Sequence, residues 1–234
     1  MYKGHPWENE EFGAVEYEWY LERMYVVNVE FDLNFQPFLD FCKKNGIKSN
    51  HLLMKVSARL SKKYLPQMGI SIGKRAYPVR YPAGYIRPVR KGSDMLEHIA
   101  VHEKEDCFEE VDIRKLINPY QRWFMIHMPR LSVFLGKYFF GKREMKKNYT
   151  IMVTRNPLSG LGRPITFSGT QYRSYLMCIP YGAQVKAVFG MPHVFGNINY
   201  YQDFLKEYIK WVEEPETIPE DLMEKEYKTA PPNG

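Results

Sequence analysis

Two segments of this 234-residue chain repeat their apolar residues at helical spacing, and nearly everything between them is cut into short pieces. In SNHLLMKVSARLSKKYL, opened by Ser49, the residues Leu52, Leu53, Val56, Leu60 and Tyr64 recur at steps of three and four. That spacing puts one apolar stripe on a helix, which Pro66 ends. Near the other end, Tyr201, Phe204, Leu205, Tyr208 and Val212 form an aromatic-rich stripe on a helix predicted over about 199–213. A helix with a single apolar stripe has to cover another element, and the intervening sequence supplies strands.

Residues 24–33, MYVVNVEFDL, alternate, with Tyr25, Val27, Val29 and Phe31 on one face. Asn34 is expected to cap a short helix that tolerates Pro37 in its first turn and closes at Gly46. GISIG, AYPVRYPAGYIRPV and MLEHIAVHE read as strands punctuated by Gly and Pro, with RKGSD as a hairpin connection. Residues 108–117 read as a further amphipathic helix, and 149–154, 175–179 and 184–189 as strands. The first 24 residues, rich in Glu and aromatics, are expected to run as an arm across the surface. The acidic, Pro-containing stretch 214–234 is expected to be a flexible tail. With no internal repeat or linker, 1–234 reads as one domain of α/β class, a mixed, largely antiparallel sheet flanked by helices.

At 44% hydrophobic and 26% charged, the composition is that of an ordinary globular protein. No run of eighteen apolar residues occurs, and the polar N-terminus does not resemble a secretory signal, so a cytoplasmic protein is expected. Cys42, Cys107 and Cys178 are scattered and odd in number, which argues against a disulfide framework and a zinc site. His98 and His102 stand four apart, but on a strand they share a solvated face, so no metal is expected. The net charge of +6 suits nucleic acid, anionic lipid or a phosphorylated cofactor equally. GLGRP lacks a phosphate-loop pattern and the aromatics fall on apolar faces, so nucleic acid is not an expected partner. Residues 118–147 mix bulky apolar residues with Arg and Lys and read as two short helices broken near Pro129. Their apolar side chains can line a pocket, pack on the domain or rest on a membrane surface.

The chemistry points to the C-terminal end. A strand, QVKAVF, runs into GMPHVFGN and at once into the aromatic helix, which places His193 in a turn at the end of a rigid strand. An imidazole there can serve as a general base near neutral pH, provided its ring is held in one tautomer. By itself a lone histidine is equally a structural or merely exposed residue.

PHVFGNI resembles the HxxxDG signature of the chloramphenicol acetyltransferase / dihydrolipoyl acyltransferase superfamily, with His193 on its histidine, Asn197 on its Asp and Ile198 on its Gly. The segments from VNVEFDL to KKYL, GISIG to RKG, and IMVTRNPLSG are similar in order to that family's opening strand and helices, middle sheet and oxyanion-stabilising loop. The resemblance implies a chloramphenicol acetyltransferase-like two-layer sandwich and a homotrimer with its site in the cleft between subunits. It implies coenzyme A as the acyl carrier, with His193 as base for the hydroxyl or thiol of a small acceptor. The oxyanion donor is Ser159, two residues after Pro157, or Thr154 on the preceding strand, or else Ser159 is only a loop serine. Asn197 stands where the family has a bracing Asp. Arg87, Arg90 and Lys91, with Lys74 and Arg75, either meet the coenzyme A phosphates or form a solvated basic face. No enzyme nucleophile is required, consistent with the absence of a GxSxG elbow. The departures at 197 and 198 suit a retuned transferase or a catalytically inactive scaffold or ligand-binding trimer.

Overall fold

The computed structural model describes residues 3, 5, 7–23, 26–66, 68–72, 75–88, 96–135, 139, 148–155, 174–181, 184–196 and 198–231. In chain order the elements are α1 (Gly13–Arg23), β1 (Val26–Leu33), α2 (Gln36–Lys44), α3 (Ser49–Tyr64), β2 (Gly69–Ile72), β3 (Arg75–Pro78), β4 (Tyr81–Pro88), β5 (Leu96–Glu103) and β6 (Cys107–Asp112). There follow α4 (Pro119–His127), α5 (Pro129–Leu135), β7 (Tyr149–Arg155), β8 (Ser174–Tyr181), β9 (Gln184–Pro192), α6 (Gln202–Glu213), α7 (Glu220–Glu224) and β10 (Glu226–Lys228), with short 3-10 turns between some of them.

The eight-stranded sheet has the order β1-β9-β8-β7-β4-β5-β6-β10, and β2 and β3 form a separate antiparallel pair. Within the large sheet β1/β9, β8/β9, β4/β5 and β5/β6 are antiparallel, while β7/β8, β4/β7 and β6/β10 are parallel. The class is therefore α/β with a mixed, largely antiparallel sheet. The stripe of α3 (Leu52, Leu53, Val56 and Leu60) is buried over β4, β5 and β7. Beside it, α6 buries Phe204, Leu205, Tyr208 and Val212 against α3 and α2. Burying each such side chain stabilises the fold by roughly 1.5–3 kcal/mol, so these helices hold the sheet beneath them. Gly84 is required for a close approach: a Cβ there would stand 2.6 Å from the Ile99 carbonyl oxygen and run into the Tyr149 ring. Burial pushes the Cys42 thiol up to about 11, making it a poor nucleophile at neutral pH.

Several elements differ from the sequence reading. Residues 107–112 form the strand β6, not a helix, because Phe108, Glu110 and Asp112 alternate onto one buried face. Asn34 does not cap α2. Phe35 occupies the N-cap position with no side-chain cap, and the Asn34 N–H donates instead to Glu213 Oε1 at 2.9 Å. Gly46, at φ +65°, closes α2 as expected. His98 and His102 share a face of β5, but that face is partly covered: the His98 ring meets the Tyr149 hydroxyl at 3.1 Å, and His102 packs edge-on to Tyr81. The RKGSD connection lies outside the described residues.

The tail is docked through residue 231, contrary to the flexible stretch expected. Ile218 and Leu222 are buried, and β10 adds to the sheet edge beside β6. Lys55, itself buried, donates from Nζ to the carbonyls of Leu222 (3.1 Å), Met223 (3.2 Å) and Lys225. An ammonium that caps the end of α7 in this way replaces its lost hydration with three carbonyl acceptors.

Candidate active site

His193 stands at the first residue after β9, where Pro192 (φ −67°, ψ 129°) ends the strand and a single 3-10 turn, His193–Phe195, begins. Val194 and Phe195 are buried and anchor the turn, while the His193 ring is half-buried. Gly196 closes the turn at φ 136°, ψ 173°, a conformation that a residue with a Cβ rarely adopts. Its N–H donates back to the His193 carbonyl at 3.0 Å. Its own carbonyl lies 2.9 Å from His193 Nδ1. A carbonyl can only accept, so Nδ1 carries the proton and Nε2 is the basic nitrogen.

The turn is also held from outside. His5, only 3% exposed, donates from Nε2 to the Val194 carbonyl at 2.7 Å, and the Trp7 N–H donates to its Nδ1 at 3.2 Å. The Trp7 ring meets the His193 ring edge-on, centroids 6.2 Å apart, and the His5 ring packs against Tyr17 of α1 at 4.9 Å. The N-terminal arm therefore packs directly on the histidine turn. Burial pushes His5 down to about 4, outweighing the opposing pull of the Val194 carbonyl, so its ring is neutral at physiological pH.

Thr154, one of the two expected hydroxyl donors, is not beside this ring in the same chain. Thr154 pairs in register with Met177, and Met177 with Val188, so the Thr154 backbone is level with a point five residues before His193. At about 3.3 Å per residue that separates them by roughly 17 Å along the strands, and β8 lies between β7 and β9. Ser159, Asn197, Arg90, Lys91 and Lys74 lie outside the described residues.

At the end of the sheet where β4 and β7 finish, a cavity of about 430 Å³ opens under the first turn of α3, lined by His51, Met54, Tyr85, Arg87, Val153 and Tyr227 among others. His51 stacks on Tyr227 at 4.3 Å, and burial lowers its pKa, so a neutral imidazole faces the space. Arg87 is already engaged: Nε donates to the fully buried Glu97 at 2.6 Å, Nη2 to the Ala230 carbonyl at 3.2 Å, and Nη1 lies 3.8 Å from Glu110. Arg114 holds the other Glu97 oxygen at 2.8 Å. Glu110 accepts from the hydroxyls of Tyr85 (2.7 Å) and Tyr227 (2.9 Å) and from the Ala230 N–H (2.9 Å). Burial first, and Glu110 second, push both phenols up, which keeps them as donors. Among the described residues no group of three or more His, Cys, Asp or Glu is placed to hold a metal ion.

No protein-family model matches the chain, and no curated protein sequence matches it significantly. Among solved structures it is similar to a chloramphenicol acetyltransferase, with a TM-score of 0.49 and 9% identity over 88% of this chain and 97% of that one. It is also similar to the cubic core of the pyruvate dehydrogenase multienzyme complex, with a TM-score of 0.48 and 14% identity over 88% and 89%. A third is the Azotobacter vinelandii dihydrolipoamide acetyltransferase, investigated for the roles of a serine, a histidine and an asparagine in its catalytic mechanism (TM-score 0.48, 12% identity, 89% of each chain). At such identities the likeness is one of chain path and says nothing of substrate.

Three residues of the site carry little signal in the sequence. Gly196 follows the histidine closely enough to suggest a turn, but its positive φ shows only in the fold. His5 and Trp7 lie almost the whole chain away from the turn they hold.

Proposed function

We propose that the chain is an acyltransferase that moves an acyl group from a coenzyme A thioester to a hydroxyl or thiol of a small acceptor, with His193 as general base. The observation that carries this reading is the hydrogen bond from His193 Nδ1 to the Gly196 carbonyl, which makes Nε2 the basic nitrogen on a turn at a strand end. Nε2 takes the acceptor's proton as its oxygen or sulfur attacks the thioester carbonyl. The tetrahedral oxyanion is stabilised by a hydroxyl from Thr154 or Ser159. As it collapses the carbon–sulfur bond breaks, and the departing thiolate takes the proton back from Nε2, which returns the imidazole to its starting state. Asn197 is the candidate for a side chain that braces the turn by hydrogen bonding.

The register of β7, β8 and β9 supports a site completed by a second copy. One chain presents His193, and its neighbour presents the end of β7 with the cavity beside it. The trimer is the assembly that suits such a head-to-tail arrangement. Arg90 and Lys91 are the candidates for the phosphates of coenzyme A, because the charge of Arg87 is already met by Glu97.

The test is release of free thiol from acyl-CoA over a panel of hydroxyl and thiol acceptors, with binding of coenzyme A followed by calorimetry. The expected result is release that falls at least about 100-fold in His193→Ala with coenzyme A binding retained. Binding without turnover in the wild type would assign the chain to a ligand-binding trimer instead, and neither binding nor turnover would remove coenzyme A from the account.

A further inference from the structure

The consecutive helices α4 and α5 bury none of their own residues. Tyr120 is 87% exposed, Trp123 58%, Ile126 64%, Val133 71%, Phe134 51% and the nearby Phe139 69%. A globular surface rarely presents that many bulky apolar side chains together unless something covers them. They also point in more than one direction. Tyr120, Trp123 and Ile126 follow one stripe of α4, Met125 lies off it, and Val133 and Phe134 are successive residues of α5. A rigid partner covers one face of a helix, whereas a lipid interface covers every side that dips into it.

Charge selects among the occupants. Residues 118–147 hold seven Lys and Arg against Glu144 alone, and the rest of the chain holds 26 of each sign. The whole net charge of +6 therefore belongs to this one segment, interleaved with its aromatic residues. Aromatic rings and cations on a protruding apolar element are what an anionic bilayer surface retains: the rings and aliphatic tips enter the acyl boundary and the cations meet the headgroups. Nucleic acid has no use for the exposed Ile126, Val133 and Met125. No helix among the described residues is long and apolar enough to cross a membrane, so the element lies on a bilayer and does not span it.

We propose that α4 and α5 form an interfacial docking element for anionic lipid membranes, independent of the acyl-transfer reading. The experiment floats the full chain with phosphatidylcholine vesicles, with and without phosphatidylserine. The expected result is flotation with the anionic vesicles, weaker flotation with the neutral ones, and loss of the difference as salt is raised. Arg122→Gln with Arg130→Gln is expected to lower the partition coefficient about 25-fold, at roughly fivefold for each cation. Ile126→Ser with Val133→Ser is expected to lower it at every salt concentration. All four positions are exposed, so circular dichroism and the unfolding midpoint should stay unchanged. Absence of flotation with anionic vesicles at low salt overturns the proposal, as does unchanged flotation of both double variants. If these substitutions split the oligomer and no flotation is seen, the face belongs to a neighbouring copy (the acidic α1 is the complementary surface), and the lipid assignment is wrong.

Discussion

A histidine becomes a usable base only when its other nitrogen is committed, and here the commitment is made by one glycine. Gly196 both accepts from His193 Nδ1 and returns its N–H to the His193 carbonyl, at a φ of 136°. Gly196→Ala is expected to strain the turn by about 1–3 kcal/mol and to lower acyl transfer at least about tenfold while coenzyme A still binds. An unchanged rate would show that this turn does not set the ring. His5 makes a second, pH-dependent hold. Its pKa is about 4 when docked against an ordinary 6.5 when released, so a detached arm binds a proton that the docked arm excludes. Docking is at full strength above about pH 6.5 and weakens as pH falls towards about 4, by at most roughly 3 kcal/mol. Proteolytic nicking of the first residues should increase through that window, and His5→Gln should flatten the dependence. Protection that stays constant down to about pH 4 would contradict it.

At the scale of elements, legibility followed periodicity. The stripes of α3 and α6 and the alternation of β1, β7, β8 and β9 are local patterns, and each element forms close to where its sequence places it. The strand β6 is the instructive exception. Its inward face carries Glu110 and Asp112, which look like a polar helix face until their partners arrive: Tyr85, Arg87 and Arg114 from upstream and downstream, and Tyr227 and Ala230 from the far end of the chain. The tail hides its role in the same way, since Ile218 and Leu222 are single anchors without a repeat and Lys55 grips backbone carbonyls that no side-chain pattern reports. The candidate site was legible only at His193, where strand, turn and helix meet; the arm that holds it and the cavity at the opposite sheet end are long-range products of the fold. The buried ion cluster is testable at this scale. Glu97 is fully buried between Arg87 and Arg114, so Glu97→Gln is expected to destabilise by about 2–3 kcal/mol, less than a fully enclosed pair because both guanidiniums still reach water. A denaturant midpoint equal to wild type would show that the cluster contributes nothing.

For the whole molecule, the decisive fact is that Thr154 and His193 of one chain stand five residues apart in register, with β8 between their strands. On the proposed reading the site is completed by a second copy, and activity belongs to the interface. The measurement is complementation. His193→Ala and the double variant Thr154→Val with Ser159→Ala are each expected to be inactive in thiol release from acyl-CoA, and the two chains are then co-expressed. In a cyclic assembly with shared sites, roughly a quarter of the interfaces join an intact His193 to an intact hydroxyl pair, so about a quarter of wild-type activity should return. No recovery from a confirmed mixed oligomer, with each variant folded, would contradict a site built from two chains with His193 as its base.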